Sequence, residues 1–216
     1  MSRIYTLSND MEIKIALEAA EKVLRAGGVA AIPTDTVYGF AALVHDEAAI
    51  AKLYKIKERD QKKSIAVLLG DAEQAHLVAH EFPAKAQRLA AKYWPGALTI
   101  IIRKKAGLPA DLTSNDLVGL RIPDHEFTRE LIRRTGPLAV TSANISGQPP
   151  AKSIDEFLGE LGPQLDIIID GGPSSGGVPS SVINCESEPA VILREGAIPG
   201  KDLLACRENH APRCCL

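Results

Sequence analysis

The stretch PTDTVYGFAALVHDEAAIAKLYKIKERDQKK, residues 33–63, decides how the rest of the chain is read. Just before it, Gly28-Val29-Ala30-Ala31-Ile32 is apolar and continuous, the pattern of a buried strand, and Pro33 ends that strand. PTDTVYG then reads as a tight polar loop, and Phe40–Val44 as a second apolar stretch. Asp46 is placed to cap a helix whose buried side carries Ala49, Ile50, Leu53 and Ile56. On that helix Lys52, Lys55 and Arg59 fall three and four apart and are expected on one face, with Lys57 pointing elsewhere unless the helix has ended. Between positions 52 and 63 six cationic residues meet only Glu58 and Asp60, in a chain whose net charge is −2. Such a cluster is either a solvated helix face or the holder of an anion.

Upstream, Ile13, Ala16, Leu17, Ala20, Val23 and Leu24 recur at helical spacing, with Asp10 as N-cap and Gly27-Gly28 as the stop. Downstream, buried strands are expected at 64–69, 97–102, 118–123, 138–140, 166–169, 181–185 and 190–194. Helices are expected near 71–80, 84–93, 125–135 and 153–161, and 106–116 reads as loop. Short strands alternating with helices, with no break in composition before the tail, indicate one α/β domain. The strands are apolar without alternation, so the expected sheet is twisted, open and mixed, with helices flanking it.

Composition excludes several functions. With 25 basic and 27 acidic residues and 4% aromatics, the chain is neither a general polyanion binder nor an extended stacking groove for nucleic acid. No apolar run approaches a membrane span, and the first residues lack the apolar centre of a signal peptide, so a cytoplasmic location is expected. Of the four cysteines, Cys206, Cys214 and Cys215 fall in the last eleven residues, where they cannot staple a core. With His210 they either bind a metal or form an oxidisable tail; 206–216 is expected to be a disordered appendage to a domain at 1–205.

Polar residues gather where strands are expected to end: Thr34, Asp35 and Thr36; Arg121; Ser142 and Asn144; Ser180 and Ser181; Arg194. In open α/β sheets ligands collect at such ends. The stretch GGPSSGGVPSS, residues 171–181, either presents backbone N–H groups to an oxyanion or serves as a flexible connector. Arg121 lies in an apolar strand, where an unpaired guanidinium is costly, so a carboxylate or phosphate must face it, from the protein or from a ligand. No nucleophile signature and no HExxH occur, which points to catalysis by positioning and charge neutralisation.

Taken together, PTDTVYGF (33–40), the Lys57-x-Arg59 pair, YWPGALTIII (93–102), GLRIPDH (119–125), PLAVTSANISGQP (137–149) and ILREGAI (192–198) resemble the YrdC-like family of threonylcarbamoyl-AMP synthases. The family hallmark, a lysine–arginine pair followed by Ser-x-Asn, is met by Lys57, Arg59, Ser142 and Asn144. The resemblance implies a YrdC-like fold and a synthase that joins ATP, bicarbonate and L-threonine into threonylcarbamoyladenylate, with Mg²⁺ accompanying ATP. The adenylate feeds tRNA modification, through tRNA or a tRNA-modification complex as partner, with no membrane involved. By position, Lys57 and Arg59 would be catalytic; Thr36, Arg121 and Ser180 would touch threonine. Arg59, Lys63, Ser142, Asn144, Pro150 and Arg194 would touch the nucleotide. This chain departs from the family pattern at Asp60–Ile65, at Leu68, where some members carry histidine, and at Pro179-Ser180-Ser181. With about 16 residues after position 200, it is expected to be the short, single-domain form. The alternative function is a non-catalytic RNA-binding or ribosome-associated role.

Overall fold

A computed structural model describes residues 3–205. In chain order the elements are β1 (Arg3–Thr6), α1 (Asp10–Arg25), β2 (Ala30–Ile32), β3 (Gly39–Leu43), α2 (Glu47–Ile56), β4 (Ala66–Leu68), α3 (Ala75–Val78) and α4 (Ala84–Tyr93). They continue with β5 (Leu98–Arg103), β6 (Leu117–Arg121), α5 (Glu126–Thr135), β7 (Leu138–Ser142), α6 (Asp155–Leu158), β8 (Ile167–Asp170), β9 (Ser181–Asn184), β10 (Val191–Arg194) and α7 (Gly200–Ala205). The strands form one mixed sheet in the order β1-β8-β2-β3-β7-β4-β6-β5-β9-β10. The α/β class and the mixed, helix-flanked sheet are as the sequence indicates.

Local departures have local causes. The N-cap of α1 is Asn9, whose Oδ1 accepts from Glu12 N at 3.0 Å; Asp10 is instead the first helical residue, where its charge suits the helix dipole. No continuous helix spans 71–80. A 3₁₀ turn at Ala72–Gln74 leads into α3, and the chain then extends, because Ala79 bridges Lys104 and His80 N donates to Arg103 O. Likewise α6 is a single turn, followed at Gly162–Gln164 by a 3₁₀ turn. Strand β1 shows no apolar run because it is an edge strand with mostly exposed residues, paired only with β8. The tail at 206–216, with Cys206, His210, Cys214 and Cys215, lies outside the described residues.

The cationic residues of 52–63 do not share a face. Lys52 Nζ reaches back to Gly27 O, α2 ends at Ile56, and Lys57 is its C-cap. Glu58 follows at φ 49°, a left-handed conformation uncommon for a residue with a Cβ. That turn sends Lys57 inward and Arg59 toward the opposite side of the sheet.

Because side chains alternate along a strand, the sheet has two faces. One is covered along its length: Phe40, Val67, Leu98, Ile100, Ile102, Val118, Leu120 and Ile183 are buried with residues of α2, α3 and α4. The other is covered only in part. There α1 and α5 bring Leu17, Leu24, Phe127 and Leu131 onto Ala30, Ile32, Ala41, Leu138, Ile167 and Ile169. Among the described residues no helix packs on that face of β6, β5 and β9. Ala66, Ile101, Gly119 and Val182 are consequently only half-buried, and a cavity opens above them.

Candidate functional site

The cavity, about 270 Å³, has this bare stretch of sheet as its floor and residues from six segments as its walls. Its first wall is the loop after β2. Thr34 Oγ1 donates to Val37 O at 2.6 Å and accepts from Thr36 N and Val37 N, which curls 34–37 into a tight turn and aims Thr36 inward. Arg121, at the end of β6, meets it: Nη1 donates to Thr36 Oγ1 at 2.8 Å, Nη2 to Asp35 Oδ1 at 2.5 Å, and Nε to Gly96 O at 2.9 Å. The carboxylate facing this buried arginine is therefore the protein's own. Asp35 Oδ1 also accepts from Asp124 N at 3.0 Å, so it ties the loop to the end of β6. Burial pushes the Arg121 pKa down from its ordinary value, and Asp35 opposes that shift.

The second wall is built around Ser180. Its hydroxyl lies 2.8 Å from Thr99 Oγ1, and Arg194 donates to its carbonyl from Nε at 3.0 Å and Nη2 at 2.8 Å. The glycine–serine loop leading here rests on its neighbours. Gly176 N donates to Asp35 O at 2.9 Å and Ser174 N to Lys152 O at 2.8 Å. Those two amides hold the loop against the first wall, which favours the connector reading over an anion nest at both positions.

Arg59 forms the third wall. Its Nε donates to Lys63 O at 3.1 Å and its Nη2 to Ser64 O at 2.8 Å. Burial lowers its pKa, and burial followed by the field of Arg59 lowers that of Arg194. Among the described residues neither guanidinium has a carboxylate within ion-pair distance, whereas Arg121 has Asp35. Two unneutralised guanidiniums close enough to repel each other, both lining one cavity, make an anion site.

Lys57 stands apart from the cavity. It is 1% exposed, and its Nζ donates to Ser142 O, to Asn144 O at 2.6 Å and to Asn144 Oδ1 at 2.9 Å. Its own carbonyl accepts from Ser146 N at 2.8 Å. Desolvation, with a smaller contribution from Arg59, brings its pKa down to about 7. Three oxygen acceptors pull the other way, since only an ammonium can donate to all three. Asn144 is equally engaged: Ser142 Oγ donates to its Oδ1 at 2.5 Å, and its Nδ2 donates to Ile145 O and Gln148 O.

Of the sequence candidates, Thr36, Arg59, Arg121, Ser142, Pro150, Ser180 and Arg194 line the one cavity. Lys57, Lys63 and Asn144 do not. Lys57 and Asn144 lie behind the wall that carries Ser142, and Asn144 borders a separate hollow with Gln148 and Glu156. Lys63 is exposed and enters through its carbonyl, which accepts from Arg59 Nε and from the Tyr54 hydroxyl. Sequence reasoning named Asp35 without its role and passed over Thr99 and Gly119. The signal for Thr99 was a lone hydroxyl in the apolar run ALTIII, and for Gly119 a glycine inside a strand.

A half-covered mixed sheet whose bare side holds three arginines defines the class to which this chain belongs. A family model for Sua5/YciO/YrdC, described as telomere recombination, matches residues 22–196, and the chain is a member of that family. A Methanocaldococcus jannaschii protein, named provisionally as a threonylcarbamoyl-AMP synthase, is 37% identical over 94% of this chain and 96% of its own length. The threonylcarbamoyl-AMP synthase of Pyrococcus abyssi is 36% identical over 89% of this chain, which spans 56% of that longer protein. The structure of P. abyssi Sua5 complexed with L-threonine superposes with a TM-score of 0.88 at 32% identity, over 96% of this chain and 61% of that one. Among the described residues no helix is long and apolar enough to cross a membrane.

Proposed function

We propose that the chain is a threonylcarbamoyl-AMP synthase, converting ATP, bicarbonate and L-threonine into threonylcarbamoyladenylate and pyrophosphate for tRNA modification. The observation that carries this reading is the pairing pattern of the three arginines. Arg121 is fixed by Asp35 and Thr36, which orients it as a recognition group. Arg59 and Arg194 have no carboxylate partner among the described residues and await anionic charge. In the reaction the threonine amine adds to bicarbonate with loss of water, giving a carbamate. A carbamate oxygen then attacks the α-phosphorus, the bond to the β-phosphate oxygen breaks, and pyrophosphate leaves. Both reactants are anions, so the barrier includes their mutual repulsion, which fixed cations offset.

Thr36, Arg121 and Ser180 would hold the amino acid on one side of the cavity. Arg59, Arg194, Ser142 and Pro150 would hold the nucleotide on the other, with Lys57 and Asn144 fixing the turn that presents Ser142. Lys63 would act through the carbonyl that orients Arg59. Mg²⁺ fits as a companion of the triphosphate, because the cavity wall offers hydroxyls and guanidiniums rather than carboxylates. Bound there, it would draw charge from the phosphate oxygens.

Incubation with ATP, Mg²⁺, bicarbonate and L-threonine should release pyrophosphate only when all are present. Threonine should turn over faster than serine, and serine faster than valine, the hydroxyl-free isostere of threonine, because a hydroxyl-binding site rejects an isostere lacking that group. Absence of threonine-dependent release, with RNA binding that falls steeply in salt, would replace the synthase by a non-catalytic RNA-binding role.

A further inference from the structure

Between the two walls assigned to the amino acid lies a floor that no motif accounts for. Gly119 is two residues before Arg121 on β6 and shares its face, so their Cα atoms lie about 7 Å apart along the strand. Across the ladder it pairs with Ile101, and Thr99, the hydrogen-bond partner of Ser180, pairs with Val182. A Cβ at position 119 would stand 3.0 Å from Thr99 Cγ2, 3.7 Å from Ile101 Cγ1 and 3.9 Å from Ala66 Cβ. A glycine inside a strand sacrifices packing and marks a place where something approaches the backbone closely. Within the protein only the Thr99 methyl comes that close, from one side; on its other side Gly119 is half-buried and opens onto the cavity.

We infer that Gly119 and Val182 set the size of the substrate side chain, forming an apolar seat for the methyl group of threonine. This rests on the threonine-dependent reaction proposed above. The polar groups, Arg121 with Thr36 and Ser180 with Thr99, stand on either side of the seat. They can engage the carboxylate and hydroxyl of an amino acid whose methyl points down between them. Gly119 leaves room for one methyl group; Val182 closes the seat to anything longer.

The test compares kcat/KM values, read as pyrophosphate release, for L-threonine, L-serine and L-3-hydroxynorvaline, which is threonine with one more methylene. Gly119→Ala fills the seat and should lower the threonine-to-serine ratio about tenfold, the usual worth of a methyl-sized contact. Val182→Ala enlarges it and should raise the 3-hydroxynorvaline-to-threonine ratio about tenfold. Unchanged ratios in both variants would overturn the inference, as would a loss confined to the KM for ATP, which would give the floor to the nucleotide. If Gly119→Ala does not fold, Val182→Ala decides alone, and an unchanged ratio there overturns it. Wild-type protein that releases no threonine-dependent pyrophosphate fails one step earlier and removes the reaction itself, whereas an active wild type with unmoved ratios removes only the seat.

Discussion

The two halves of one sheet face differ in a single respect, whether a helix lies on them. Under α1 and α5, Ala30, Ile32, Ala41, Ile167 and Ile169 are at most 1% exposed, and among the described residues the buried charged side chains, Lys57 and Arg121, lie elsewhere. Beyond the helices, on β6, β5 and β9, the same face is half-buried and bordered by Arg59, Arg121 and Arg194. Both halves rest on the same continuous core on the far side. Covering a sheet yields stability; leaving part of it bare yields a rigid surface on which ligand groups can be placed to within the spacing of the strands.

This contrast predicts where each kind of damage falls. The largest effect belongs to the covered half: Leu24→Ala, at a fully buried position, should cost about 3–4 kcal/mol of stability in a urea titration. The protein that remains folded should keep its kcat, and a kcat that falls with stability would mean that the halves are not independent. On the bare half, Arg59→Ala should reverse the pattern, losing about 3 kcal/mol of transition-state stabilisation with the melting temperature nearly unchanged. A normal rate from that variant would take Arg59 out of the site.

Residues at the seam should show mixed effects. Asn144→Ala removes the only side-chain acceptor among the three of Lys57 Nζ, and the acceptor of Ser142 Oγ; by loosening the turn that presents Ser142 it should weaken ATP binding by about 2 kcal/mol in calorimetry. Unchanged affinity would show that the turn presents Ser142 without the Asn144 side chain. Lys57 sharpens the comparison through pH. Its pKa in the folded chain is about 7 against an ordinary 10.5, so between those values the unfolded chain binds the extra proton and stability rises with pH. The stability of wild type relative to Lys57→Met should therefore rise between pH 7.5 and 9.5, with a slope on the order of 1 kcal/mol per pH unit. A flat difference would show that the three oxygen acceptors keep the ammonium charged.

The packed elements were legible in the sequence because burial leaves periodic apolar runs: α1, α4, α5 and most strands fall within a residue or two of expectation, while α2 stops at Ile56, short of the Arg59 expected on it. Most of the cavity wall was legible too, since Thr36, Arg121, Ser142, Ser180 and Arg194 are polar residues at strand ends. Harder to read was which charge meets which. Helical spacing separated Lys57 from Arg59 but grouped Arg59 with Lys52 and Lys55; instead the left-handed turn at Glu58 buries Lys57 and delivers Arg59 to the cavity. Asp35 looked like one more loop carboxylate until β6 brought Arg121 to it across 86 residues. Gly119 left only a weak mark, a glycine inside an apolar strand, because what matters there is a missing side chain.

The alternation along β6 has a consequence for how such a protein can change over generations. Val118 and Leu120 face the core, while Gly119 and Arg121 face the cavity. Selection for a durable scaffold and selection for a new substrate therefore act on interleaved positions of one strand and seldom compete for the same codon. A lineage can vary the size of the seat at 119 or 182 without dismantling the layer beneath. Drift in preferred amino acid is thus open to this fold at little structural expense, and sequences that keep the walls but differ on the floor are where altered specificities should be sought.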